Sequence, residues 1–228
     1  MKTSKIIFIS LISVIAFLIL ISFVDIKLNS MRHQNTIVNR QALSSFKVIY
    51  INNSNLDLVQ NDSSFLETIC LKDSIMPRMN YSVKGDTLMV SDIRQSNKRP
   101  GYPLIRICSN DSLKSIILKN SDINLKDFRS AKMNLIMDGS YVVLNQNEKI
   151  VSPLRSLDIL ARNHSNINSN KFKIENLVIN LQKSEAYLSI VASKINGILL
   201  DSSRVNINLS GEVSMKSDST STVNLNEN

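Results

Sequence analysis

Lys119 to Leu125 reads KNSDINL, and the chain rewrites that phrase as DGSYVVL (138–144), NHSNINS (163–169), QKSEAYL (182–188), DSSRVNI (201–207) and STSTVNL (219–225). Setting the serine of each phrase as zero gives Ser121, Ser140, Ser165, Ser184, Ser203 and Ser221, separated by 19, 25, 19, 19 and 18 residues. A further copy, NNSNLDL, surrounds Ser54. Repetition near 20 residues is the mark of stacked structural units, each too small to bury its own apolar face.

The flanks of the serine say what each unit is. Two and four residues after it stand Leu56 and Leu58, Ile123 and Leu125, Val142 and Leu144, and Val205 and Ile207. Five and three before it stand Ile49 and Ile51, Ile116 and Leu118, Leu135 and Met137, and Ile179 and Leu181. Across all seven copies, 24 of these 28 places are apolar, against 43% hydrophobic residues in the whole chain. The places between them are mostly polar. Alternation of that kind marks strands with one buried face. The inward positions are even after the serine and odd before it, so the serine sits at a bend where the facing shifts by one residue. In this register Val205 points inward, while Arg204, Asn206, Tyr141 and Tyr187 point outward.

These observations predict an all-β fold: a β-solenoid of about six stacked coils over residues 46–228, with the serines in one structural column. The column comprises Ser54, Ser121, Ser140, Ser165, Ser184, Ser203 and Ser221. The last copy places Lys216 and Asp218 where its predecessors are apolar, as a polar cap on the stack would require. Between the first copy and the array, FLETICLKD, MNYSVKGDTLMVSDI and YPLIRICS predict a small antiparallel lead-in sheet. Its VKGDTL segment reads as a hairpin with Gly85 at the turn.

Ahead of the repeats, Ile6 to Val24 carries no charged residue. Nineteen helical residues reach about 28 Å, the thickness of a bilayer core. The expected division is therefore a cytoplasmic tail (1–5), a single transmembrane anchor (6–24), a polar stalk (25–45) and the solenoid (46–228). A cleaved signal peptide is the alternative. Lysines and arginines flank both sides of the run, so charge alone does not orient it. The formal net charge is +8, spread without a basic cluster or interleaved aromatics, which excludes nucleic acid as the expected partner.

From Phe46 onward the chain resembles the bacterial auto-transporter adhesin, head GIN, domain family. The resemblance rests on FKVIYINNSNLDLVQND, the KGDTLMV hairpin, YPLIRICSNDSLKSIILKNSDINL and the serine phrases that follow. It implies a β-solenoid that is exported and often anchored, with the C-terminal domain in the periplasm or at the cell surface. The family's glycines are scarce here: Asp122, Tyr141, Asn166, Glu185, Arg204 and Thr222 follow the serines. Asn163, His164 and Asn166 can supply positive φ, whereas Tyr141 and Arg204 would do so poorly.

Chemistry is sparsely signalled. The two histidines, His33 and His164, lie in the stalk and in a polar turn. Neither a nucleophile elbow nor a phosphate-binding loop occurs. No catalytic residue, metal ligand or cofactor is expected. Asp122 and Asp127 read as solvated turn residues, and Glu148, in the 25-residue coil, stands without a partner acid. Cys70 and Cys108 fall in neighbouring predicted strands and are either a disulfide or two buried thiols. The expected function is non-catalytic: an envelope scaffold binding a glycan or another envelope protein, held to the membrane through Ile6 to Val24. The alternative is a regulatory membrane protein whose helix couples to a partner in the bilayer.

Overall fold

The computed structural model describes residues 13–25, 36–71, 79–93, 103–110, 112–146, 154–209 and 211–227. Apart from a helix at residues 13–25, its regular structure is all β. The strands assemble into two ladders joined at the bends. One ladder contains β2 (Val48–Asn52), β6 (Thr87–Ser91), β8 (Ser115–Lys119), β10 (Lys132–Asp138), β12 (Ser156–Arg162) and β16 (Glu212–Ser217). The other contains β3 (Asn55–Gln60), β7 (Leu104–Ser109), β9 (Asp122–Lys126), β11 (Tyr141–Asn145), β15 (Arg204–Leu209) and β17 (Thr222–Glu227). Strands β13 (Asn166–Gln182) and β14 (Glu185–Leu200) are long enough to run through both.

Pairing in the first ladder follows the order β6, β2, β8, β10, β12, β13, β14, β16, all parallel. In the second it follows β7, β3, β9, β11, β13, β14, β15, β17, again all parallel. Each sequence repeat thus adds one strand to each ladder. Ile49, Ile51, Leu56 and Leu58 align with Ile116, Leu118, Ile123 and Leu125, and all eight are at most 2% exposed. Burying one such side chain contributes about 1.5–3 kcal/mol, so the aliphatic columns dominate the stability of the stack.

The bends depend on left-handed backbone. Asn53, Asn120, Gly139 and Lys183 each form a one-residue bend with φ near +50°, immediately before the serine. Two bends hold an extra residue: Asn163 with His164, and Asp201 with Ser202, all at positive φ. The left-handed position therefore precedes the serine. Tyr141, Asn166 and Arg204, which follow it, lie in strands and are spared that strain.

The extra residues also correct the inward register. In the coil closed by Ser165 the buried residues are Ile159 and Ala161, not Leu160 and Arg162; in the coil closed by Ser203, Leu199 is buried while Ile198 and Leu200 are 47% and 44% exposed. The terminal coil is shifted likewise. Val213 and Met215 continue the inward columns, opposite Ile195 and Gly197, so Lys216 and Asp218 are not core positions that became polar.

The segment before the array differs from the expected lead-in sheet. β6 and β7 form a further parallel coil, stacked on β2/β3 from the side opposite β8/β9. Antiparallel strands are added only at its edges. β5 (Asn80–Lys84) pairs with β6 through a hairpin turning at Gly85, φ +57°. β4 (Phe65–Leu71) pairs with β7, and β1 (Thr36–Ala42) with β4.

β1 lies within the segment read as a stalk, so the folded domain begins ahead of Phe46. Seven exposed residues with no apolar alternation hid this strand. Its register on β4 is fixed instead by Arg40, whose Nε donates to Glu67 Oε1 at 2.8 Å and whose guanidinium lies 5.3 Å from the Phe65 ring centre. Cys70 and Cys108 are free, buried thiols. Phe65 faces Cys108, and Cys70 lies five residues further along β4. Five residues of strand span about 17 Å, well beyond disulfide reach.

Of the predicted anchor, residues 13–24 are helical and exposed, and Ile6 to Ile12 lie outside the described residues. Among the described residues, no helix is long and apolar enough to cross a membrane.

Candidate binding face beside the serine column

Six of the seven serines are 1–3% exposed, and they bond the bends to one another. The backbone N–H of Ser54 donates to Ser121 Oγ at 3.1 Å, that of Ser121 to Ser140 Oγ at 3.1 Å, and that of Ser140 to Ser165 Oγ at 3.2 Å. Beyond a gap, the Ser184 N–H donates to Ser203 Oγ at 3.2 Å and the Ser203 N–H to Ser221 Oγ at 3.0 Å. Each hydroxyl hydrogen is used within its own coil. Ser121 Oγ donates to Lys119 O at 2.7 Å and Ser140 Oγ to Asp138 O at 2.9 Å. A small side chain that donates and accepts at once gives the next bend's N–H its acceptor and ties itself to a carbonyl of its own bend, which also accepts from the adjacent coil.

The coil that carries no serine shows what the column requires. Asp92 supplies the left-handed residue and Ile93 takes the serine's place, its N–H donating to Ser54 Oγ at 3.1 Å. As the outermost bend of the stack it needs to donate to the column but not to accept from it. Sequence alignment on serine could not find this member.

The gap lies between Ser165 and Ser184, where the Ser165 N–H turns back to Arg162 O at 3.2 Å. Here the one-residue bend at Lys183 stands between the longer bends at His164 and Ser202. A short bend between two longer ones leaves a notch. The resulting groove, about 590 Å³, is lined by His164, Asn166, Lys183, Glu185, Asp201 and Ser202, with Ser165 and Ser184 at its floor.

Beside this groove, the outer face of the second ladder forms two rows across β11, β13 and β14. Tyr141, Asn166 and Glu185 align in one, and Val143, Asn168 and Tyr187 in the next. Tyr141 and Tyr187 are 39% and 38% exposed, as the alternation predicted. The Tyr141 hydroxyl accepts from Asn168 Nδ2 at 2.8 Å, and the Tyr187 hydroxyl donates to Glu185 Oε2 at 3.0 Å. Asn166 Oδ1 is buried without a hydrogen-bond partner.

A second polar group lies at the β6/β7 end and was not foreseen. Glu67 is 3% exposed and is clamped by Arg40 at 2.8 Å and Arg106 Nη1 at 2.7 Å. Asp57, 5% exposed, accepts from Lys126 Nζ at 2.6 Å and Asn124 Nδ2 at 3.0 Å. Burial, with Glu67 adding to it, raises the Cys108 thiol above its ordinary value and keeps it protonated. Burial likewise raises Asp122. Asp127 adopts a left-handed φ of +64°. Glu148 and His33 lie outside the described residues. Among the described residues, no group of three or more His, Cys, Asp or Glu is placed to hold a metal ion.

No family model matches the chain, and no curated protein matches its sequence. Solved structures do. The chain is similar to a "putative adhesin" of Bacteroides fragilis, at 14% identity and a TM-score of 0.53, covering 84% of this chain and 97% of that one. A "putative adhesin" of Parabacteroides distasonis aligns at 12% identity and a TM-score of 0.48, over 85% and 97% of the two chains. A "putative lipid binding protein" of the same organism aligns at 12% identity and a TM-score of 0.43, over 84% and 97%. At these identities the Bacteroides likeness establishes a shared all-β fold.

Proposed function

We propose that this chain is a membrane-anchored β-solenoid acting outside the cytoplasm as a non-catalytic, adhesin-like binding scaffold. The observation that carries this reading is the register of the second ladder. Successive repeats present their outward residues in straight rows over adjacent strands, a rigid and periodic surface suited to an extended envelope partner. The Bacteroides adhesin-type fold and the head GIN-like phrases support the same reading. The uncharged run from Ile6 to Val24 supplies the anchor, with residues 1–5 in the cytoplasm.

Expression of the full chain in a Gram-negative host, followed by fractionation and intact-mass measurement, tests the setting. The full-length mass in the membrane fraction, with the domain digested when protease is added outside the inner membrane, is the expected result. A soluble product beginning beyond residue 24 overturns the anchor. For function, the full chain in lipid nanodiscs is incubated with purified envelope polysaccharides and envelope proteins. Saturable retention of one without release of cleaved product supports a scaffold, and time-dependent release of fragments overturns it.

A further inference from the structure

The two-row patch beside the groove has a specific chemistry, and we propose that it is a saccharide platform for an uncharged polysaccharide chain. This rests on the binding reading above and assigns it a place and a ligand class.

Both tyrosines are tethered through their hydroxyls to neighbours on the same sheet face. The Tyr141 hydroxyl meets Asn168, one strand over and one row on. That of Tyr187 meets Glu185, two residues back on its own strand. So tethered, each phenol is held near its neighbour while more than a third of its surface stays open to solvent. Sugar rings stack their C–H faces on such surfaces, because an aromatic face carries partial negative charge. The two tyrosines stand two strands and one row apart, so their Cα atoms are separated by about 12 Å. That leaves room for a sugar on each ring and a linking sugar between them.

The polar groups around the rings match hydroxyls. Asn166 and Asn168 occupy the middle strand, and each amide offers two donors and an acceptor. Asn166 stands half-buried between Tyr141 and Glu185 in its row, under the path from one ring to the other. The adjoining groove continues the platform past the bend, with His164 and Lys183 on its wall.

Charge argues for a neutral ligand. The whole chain carries +8, yet around the patch Lys183 and Arg204 stand against Glu185, Asp201 and Asp122, the last beside Tyr141 in its row. A polyanion would meet three carboxylates here, and the patch holds no excess of positive charge to draw one.

The test uses the full chain in nanodiscs, with soluble neutral glucans, mannans and xylans, and with heparin and reduced casein as polyanionic and unfolded-protein comparisons. Retardation in gels containing each polymer and titration calorimetry report binding. At least one neutral polysaccharide is expected to bind, with Tyr141→Ala and Tyr187→Ala each weakening it about tenfold, the usual loss for an aromatic anchor. Asn166→Ala should weaken it less, and Lys132→Ala, on the other ladder, should leave it unchanged. Thermal melts of the tyrosine variants should match the parent, separating lost contact from lost folding.

Binding of a neutral polysaccharide that ignores both tyrosine changes overturns this site and leaves the scaffold reading standing. Tyrosine-dependent binding of heparin or casein alone overturns the ligand class. No binding of any neutral polymer overturns the inference, while the scaffold reading is then decided by its own assay. Tyrosine-dependent binding with release of fragments keeps the platform and removes the non-catalytic reading.

Discussion

Across the second ladder, one outer row can be followed through ten strands, and its two halves differ in kind. It begins Arg40, Glu67, Arg106, Asp57 and continues Asn124, Val143, Asn168, Tyr187, Asn206, Asn224. The first four alternate in sign and two are nearly buried carboxylates, whereas the last four are uncharged and partly or fully exposed. The same backbone geometry is therefore secured in two ways. At the β6/β7 end antiparallel strands must be held in register against a parallel coil, and ion pairs specify that register. In the array each coil copies its predecessor, so the aliphatic columns and serines suffice. The far half is free to present tyrosines and amides to a partner.

The aliphatic columns extend through the far half, so the largest effect is expected there. Val205 is fully buried, and Val205→Asp places a carboxylate among aliphatics, costing about 5 kcal/mol or more or forcing its protonation. Its outward neighbour gives the contrast: Asn206→Asp should cost less than about 0.5 kcal/mol. Urea unfolding measures both, and equal costs would break the inward–outward assignment.

Next in size is the charged half. Glu67→Ala removes the acceptor shared by two arginines and leaves the partly buried Arg106 without its charge partner. The expected cost is about 3–5 kcal/mol. Asn224→Ala, on the same row, removes only the bond to Asn206 Oδ1 at 2.7 Å and should stay within about 1 kcal/mol. Similar costs would erase the distinction between the two halves.

A smaller effect separates interior from terminal serines. Ser121→Ala leaves the Ser54 N–H without its acceptor in a buried bend, while the Lys119 carbonyl keeps the Asn53 N–H at 2.9 Å, at a cost of about 1–3 kcal/mol. Ser221 is half-buried in the last bend, and water can replace it. Thermal melts of Ser221→Ala should show less than half the shift of Ser121→Ala.

The smallest effect is in acid. Asp218 accepts from the Asp201 backbone N–H at 2.7 Å and also from Ser221 and Thr220, and these bonds hold its carboxyl at about 2. The value is depressed relative to the unfolded chain, so the stabilisation is complete above about pH 4. It is lost as the pH falls towards 2. Amide protection in β17, taken relative to the intrinsic exchange rate at each pH, should fall across that window, and Asp218→Asn should make that protection nearly independent of pH there. A loss of protection confined to higher pH would contradict the assignment.

The extent to which the chain reveals this architecture follows from how local the signals are. Alternation around each serine is local, so Leu56, Ile123 and Val205 were legible as core and Tyr141 and Tyr187 as outward. A bend one residue longer leaves no compositional trace, because Asn163 and Ser202 are ordinary turn residues. Counting back five residues from Ser165 therefore reaches Leu160, whereas the core residue is Ile159. Ile93 stands in the serine column without a serine. The ion pairs are non-local: Arg40 is 27 residues and Arg106 39 residues from Glu67. Neither alternation nor composition ties them together. The notch at Lys183 arises from the lengths of three bends in different repeats, and was invisible for the same reason.

All of these inferences rest on the in-register stacking of successive repeats. Asn206 and Asn224 lie directly opposite one another on β15 and β17. With Cys70 and Cys108 replaced by serine or alanine, Asn206→Cys with Asn224→Cys brings two thiols within the Cα separation that a disulfide needs. Asn206→Cys with Asn226→Cys offsets them by two residues. Under mild oxidation, non-reducing mass spectrometry should find the first pair closed within the chain and the second open. Preferential closure of the offset pair, or no closure of either, would contradict the stacking and with it the platform built upon it.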